Sequence, residues 1–135
     1  WGLVGLSICY DLRFPALYRC LAQAGASILL VPAAFAYETG LHHWHSLLRA
    51  RAIENGCYVV AAATCGVHPG AWRTYGHTMV IDPWGRVLTE AGEEPGVSIC
   101  EIDLTQVAAC RAALPSLTHD QPFSLLRRSL PVLNF

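Results

Sequence analysis

Apolar residues in this chain come in short runs, and the period of the pattern changes from one run to the next. Leu3 to Ile8 is apolar without alternation, which predicts a short buried strand. Pro15 then stands where the first turn of a helix tolerates its missing N–H. Leu17, Leu21 and Ala24 form an apolar stripe, and Gly25 stops the helix. "SILLVP", from Ser27 to Pro32, is a second continuous run. Strand, helix and strand within some thirty residues predict a βαβ unit with parallel pairing and a right-handed crossover.

The pattern beyond it continues in the same style. "AAFAYETGLHH" predicts a loop leading into a helix from about His42 to Asn55, ended by Gly56. "CYVVAAAT" (57–64) predicts another strand, followed by a glycine- and proline-marked loop from Cys65 to Gly76. "HTMVID" and "RVLTEA" flank the turn "PWG" at 83–85 and predict a β-hairpin. "VSICEID" (97–103) predicts a further strand, and Leu104 to Leu114 a helix before Pro115. From Ser124 the apolar residues lose their periodicity, so residues 1–123 are expected to form the domain and 124–135 an arm or disordered tail. Strands alternating with amphipathic helices, then hairpin strands, define an α/β fold with a mixed sheet.

Composition narrows the function classes. The chain is 53% hydrophobic and 14% charged, enough apolar material for a large core with surface left to cover. A net charge of −1 gives no electrostatic reason to expect nucleic acid or acidic lipid as a partner. The longest apolar stretch, Ile28 to Ala36, contains a proline and falls far short of the roughly 20 residues of a membrane span. The six cysteines, at 9, 20, 57, 65, 100 and 110, show no metal-ligand spacing. They read as reduced thiols in a cytoplasmic setting. The chain opens inside an apolar strand, and its one methionine is Met79, so it is expected to be the later part of a longer protein.

One cysteine stands apart. In "GLSICYDLRFP" Cys9 lies at the exit of a parallel strand just before a helix, where open α/β sheets place ligands. A sharp strand-to-helix turn lifts such a side chain clear and gathers backbone N–H groups around it, the geometry an acyl-transfer nucleophile needs. Arg13 and the helix start would favour its thiolate. Position and neighbours leave two readings open, a nucleophile or one more buried thiol. The other five cysteines lack this setting.

Three segments carry a resemblance. "CYDLRFPALYRCLAQAGASILLVPAAF", "TGLHHWHSLLRARAIENGCYVVAAATCG" and "YGHTMVIDPWGRV" closely resemble the nitrilase superfamily of carbon–nitrogen hydrolases, in the branch of deaminated-glutathione amidase and ω-amidase. The resemblance runs from Trp1 to about His119. It implies the second half of an αββα sandwich and hydrolysis of a small carboxylated amide through a thioester on Cys9, with release of ammonia. It implies no metal or organic cofactor, and a homo-oligomer for the full-length protein. It places Tyr10 beside the nucleophile as a backbone oxyanion donor, and Arg13, Phe35 and Thr39 along the substrate pocket. The family's catalytic glutamate and lysine precede the cysteine by half a domain and are absent here, so the isolated chain is expected to be inactive. Relatives typically carry glutamate at the positions of Ala16 and His45, and "HRR" where this chain has "HDQ" at 119–121.

Other side chains have simpler accounts. Arg13 could instead pair structurally with Asp11 or a loop carbonyl, and Thr39 could be a turn residue. Arg51 falls on the apolar face of its helix, where a buried guanidinium needs a partner, and Glu54 is one turn away. His42, His43 and His45 are expected to cap or decorate a helix start, and His77 to be a hydrogen-bonded structural residue. Against the enzyme stands one other class of function, a non-catalytic association module that keeps only the second half of the fold.

Overall fold

A computed structural model describes residues 2–124 of the chain. The expected arm therefore lies outside the described residues except for Ser124. The first unit matches the pattern: β1 (Leu3–Leu6), α1 (Pro15–Gln23) and β2 (Ala26–Leu30), with β1 and β2 parallel. Next come α2 (Tyr37–Asn55) and β3 (Tyr58–Ala61), which joins β2 in parallel. β6 (Met79–Ile81) and β7 (Val87–Glu90) complete a five-stranded mixed sheet in the order β1-β2-β3-β6-β7, the last two antiparallel. α3 (Thr105–Ala113) follows.

Three expectations are corrected. Residues 65–76 are not a loop but a hairpin, β4 (Cys65–His68) paired antiparallel with β5 (Trp72–Tyr75). The helix expected from His42 begins five residues earlier, at Tyr37. Gly40, which suggests a loop, sits in the helix because the Tyr75 ring occupies the space where a β-carbon would be. Residues 97–103 form no strand; Val97 and Ile99 are each 89% exposed, so alternation there lacked a ladder to join.

The core lies on one face of the sheet. Leu29, Val59, Ala61, Met79 and Ile81 point to that face and pack with Tyr18 and Ala22 of α1 and with Trp44, Leu48 and Ala52 of α2, all of them buried. The opposite face carries the cross-strand row Leu6, Leu30, Val60 and Val80, defined by register. Leu6 is 69% exposed, and the other three are half-buried. A strand face this apolar belongs under a second layer. None of the helices described is long and apolar enough to cross a membrane.

The tight β6–β7 turn is held by one side chain. Buried Asp82 accepts the N–H groups of Trp84 and Arg86, each at 2.9 Å, and pairs with Arg86 Nε at 3.0 Å.

Candidate active site

The parallel strands β1 and β2 end side by side, and their pairing outlasts the regular ladder. Ser7 N–H donates to Leu30 O (3.1 Å) and Cys9 N–H to Pro32 O (2.8 Å). Ser7 Oγ meets Tyr18 OH at 2.8 Å, which ties the strand's end to α1. The chain then turns at once into a 3-10 segment, Cys9–Arg13. The turn forces Cys9 to φ 45°, a left-handed conformation that a side-chain-bearing residue adopts at a cost of about 1–2 kcal/mol. Asp11 stabilises it by accepting the Ile8 N–H at 2.9 Å. Leu12, fully buried, roots it in the core.

A cleft of about 300 Å³ opens at this point, lined by Cys9, Tyr10, Arg13, Phe35 and Thr39 together with Ala34 and Ala36. It lies at the carboxyl ends of β1 and β2, where an open parallel sheet presents its ligand site. All five residues singled out from the sequence thus meet in one place. Tyr10 has its side chain outward, 66% exposed and 5.8 Å from Phe14. Arg13 lies between two rings, its guanidinium carbon 5.4 Å from the Tyr10 centroid and 5.3 Å from that of Phe35. Phe35 is itself fixed against Trp44 at 4.9 Å. Thr39 Oγ1 donates to Ala36 O at 3.2 Å in the first turn of α2.

Arg13 is not paired with Asp11, whose carboxylate is committed to Ile8. Its Nη1 donates to His43 Nδ1 at 3.3 Å. Sequence reasoning missed His43 as a neighbour of the cleft because it expected that histidine at a helix start. The signal was the four-residue step from Thr39 to His43, which puts both on one helical face. Arg51 and Glu54 form the structural pair expected of them, at 2.8 Å. Arg51 also donates through Nε and Nη2 to Leu12 O, so α2 holds the 3-10 segment that carries Cys9.

The remaining thiols are differently placed. Burial pushes the Cys57 thiol up, and Arg111, with Nη2 3.0 Å from its sulfur, offsets this only in part. Burial raises Cys110 as well. His77 is hydrogen-bonded, as expected, through Nδ1 to Glu90 at 2.7 Å, and His45 reaches the same carboxylate at 2.9 Å. His45, His77 and Glu90 share no residue with the cleft lining.

The chain thus presents a mixed sheet with helices on one face and a left-handed cysteine at the exit of its first strand. The chain belongs to the Carbon-nitrogen hydrolase family, whose model matches residues 1–112, within the nitrilase superfamily. It is 55% identical over 119 residues to the deaminated glutathione amidase of Synechocystis sp., covering 88% of this chain and 44% of that protein. It superposes on the NitFhit protein of C. elegans with a TM-score of 0.85 at 50% identity, covering 87% of this chain and 29% of that one. A third relative is a mutant amidase from Nesterenkonia sp. AN1, solved with the acetamide moiety of fluoroacetamide added covalently at its active site cysteine. There the TM-score is 0.62 and the identity 41%, over 69% of this chain and 35% of that one. The chain spans less than half the length of each of these relatives.

Proposed function

We propose that the protein carrying this chain hydrolyses the carbon–nitrogen bond of a small carboxylated amide, with Cys9 as nucleophile. The observation that carries this reading is the left-handed Cys9 at the strand exit, facing a cleft shared with an arginine between two rings. The Cys9 sulfur bonds to the amide carbonyl carbon while its proton passes to a base. The resulting oxyanion meets the Tyr10 N–H, which belongs to the first turn of the 3-10 segment and so lacks an intrahelical acceptor. The C–N bond then breaks, nitrogen takes the proton, and ammonia leaves a thioester. Water adds to that thioester, the C–S bond breaks, and the acid and the thiol are released. Arg13 holds the substrate carboxylate through its planar fork, Phe35 provides an apolar wall, and Thr39 lines the pocket's edge.

No acidic side chain lines the cleft among the described residues, and the chain contains no lysine at all. The base and the second oxyanion donor are therefore assigned to the family's preceding half-domain, which also lays a second sheet over the row Leu6, Leu30, Val60 and Val80. A missing base costs a factor of about 10² to 10⁴, and a missing oxyanion donor about 10² to 10³. Residues 1–135 alone should show no measurable turnover. The proposal extends to a homodimer in a reducing, cytoplasmic compartment. The alternative, a pairing module without catalysis, is favoured only by the open apolar face.

The test is ammonia release from α-ketoglutaramate by the full-length protein, with Cys9→Ala and Arg13→Lys beside it. Loss of turnover in Cys9→Ala is expected, and in Arg13→Lys a greater loss on carboxylated than on neutral amides. Turnover that survives Cys9→Ala would overturn the assignment, and a full-length protein inert on every amide would favour the pairing module.

A further inference from the structure

The cluster of His45, His77 and Glu90 has a chemistry that amide hydrolysis does not use. His45 Nε2, His77 Nδ1 and a carboxylate oxygen of Glu90 lie within 4.8 Å of one another. Both imidazoles converge on the same oxygen, Oε1, at 2.9 and 2.7 Å. They come from three separate places: the middle of α2, the residue pair ahead of β6, and the last residue of β7. We propose that these three side chains form a binding site for a divalent transition metal, zinc being the type that fits best.

The donor set argues for that class of ion. Two imidazole nitrogens with one carboxylate suit zinc, copper or nickel, whereas calcium and magnesium take oxygen ligands. Tetrahedral zinc holds its ligands at about 2.0–2.2 Å, which sets donor atoms about 3.3–3.6 Å apart. The two nitrogen–oxygen spacings, 2.9 and 2.7 Å, need to widen by roughly half an ångström or a little more for the ion to enter. The side chains remain 20% (His77), 36% (His45) and 34% (Glu90) exposed, which leaves an open side for entry and for a water as fourth ligand.

The site is also held in shape. His77 has a left-handed backbone, φ 55°, pinned by its N–H to Gly92 O (3.1 Å) and by Trp44 Nε1 donating to its carbonyl (2.9 Å). Its ring stacks on Tyr75 at 4.2 Å and stands 5.5 Å from that of His45. The other nitrogen of His77, Nε2, faces Glu93 Oε1 at 4.0 Å, and Glu93 is itself engaged by Arg73 and by Tyr37 OH. At that distance Glu93 places negative charge behind the far nitrogen without a direct hydrogen bond. Occupied, the site would fasten α2 to the β6–β7 hairpin. It would take no part in the reaction at Cys9.

Accessible cysteines could bind the same ion, so the test begins with those thiols blocked by iodoacetamide, the buried Cys57 and Cys110 being shielded already, and metal removed with EDTA. Zn²⁺ is then titrated into the protein by calorimetry. One ion per chain is expected, with affinity reduced more than about tenfold, the scale for losing even an outer-shell partner, in His45→Gln and in Glu90→Gln. His42→Gln, on the same helix but outside the cluster, should bind as the parent does. In the unsubstituted protein, Zn²⁺ should shift the imidazole NMR signals of His45 and His77 and leave those of His42 and His68 in place. Failure of the thiol-blocked protein to take up Zn²⁺, or uptake that leaves the His45 and His77 signals unmoved, would overturn the proposal.

Discussion

Arg51→Met removes the guanidinium and keeps most of the stem's bulk, so it isolates what the polar head does. In the native fold Nε and Nη2 donate to Leu12 O at 3.1 and 2.7 Å, on a side chain only 4% exposed. The guanidinium also lies 5.4 Å from the Tyr18 ring centroid. A hydrogen bond from a charged donor contributes about 1.5–3 kcal/mol, and a desolvated cation over a ring up to about 2 kcal/mol. Met leaves the carbonyl of a fully buried residue without a donor, so the orphaned oxygen and the lost bond count as one loss. The expected destabilisation is about 3–4 kcal/mol, or roughly 10 °C in melting temperature. Urea unfolding of parent and variant, with the slope checked for constancy, reads this directly. Glu54→Gln is the control: that carboxylate is 40% exposed, and its loss should cost less than about 1 kcal/mol. If Arg51→Met unfolds within about 0.5 kcal/mol of the parent, α2 does not hold the Cys9 turn as argued.

Gly40→Ala should destabilise by up to about 2 kcal/mol: overpacking costs about 1–3 kcal/mol, against a helix-propensity gain of about 1 kcal/mol. The added methyl would stand 2.3–2.7 Å from Tyr75 atoms. A thermal melt checks it, and a raised midpoint would show that Tyr75 moves aside freely. Burial pushes the Glu90 carboxyl up, but the hydrogen bonds and charges of His77 and His45 more than offset it and hold it below the ordinary 4.5. A depressed carboxylate contributes stability above its unfolded pKa and loses it as pH falls through the folded one. Below about pH 4.5 the parent should therefore lose stability more steeply than Glu90→Gln, and equal slopes would count against the shared carboxylate. Iodoacetamide at neutral pH should label Cys9 and exposed Cys20 while sparing Cys57 and Cys110, as peptide mapping can show. Early labelling of Cys57 would mean that its packing is not as described.

How much of this was legible depended on whether local pattern and tertiary packing agreed. In β1, α1 and β2 they did: the apolar runs, Pro15 and Gly25 all point to the observed unit, and Cys9 falls where that unit places a ligand site. Around 65–76, glycine and proline signalled a loop, yet β4 and β5 pair with Val67 71% exposed and only Thr74 and Tyr75 of β5 buried. Such a hairpin has little core-facing pattern to read. The start of α2 was hidden because Gly40 answers to a ring 35 positions further on rather than to its neighbours. Phe35 and Thr39 could be placed near Cys9 only through the family resemblance, since no local rule links residues on different connections. The three-residue cluster was invisible for the same reason, its members being scattered over α2, the turn before β6 and the end of β7.

With Cys9 as the proposed nucleophile, its left-handed backbone would set catalysis against durability at one residue. Glycine adopts that conformation without the penalty that a β-carbon carries, so Cys9→Gly would relieve about 1 kcal/mol or more of strain and delete the thiol in the same stroke. A library of this chain screened for heat resistance alone would drift toward glycine here, and its hardiest members would be the inert ones. Any thermostability engineering of the protein has to hold position 9 fixed and look for its gains elsewhere.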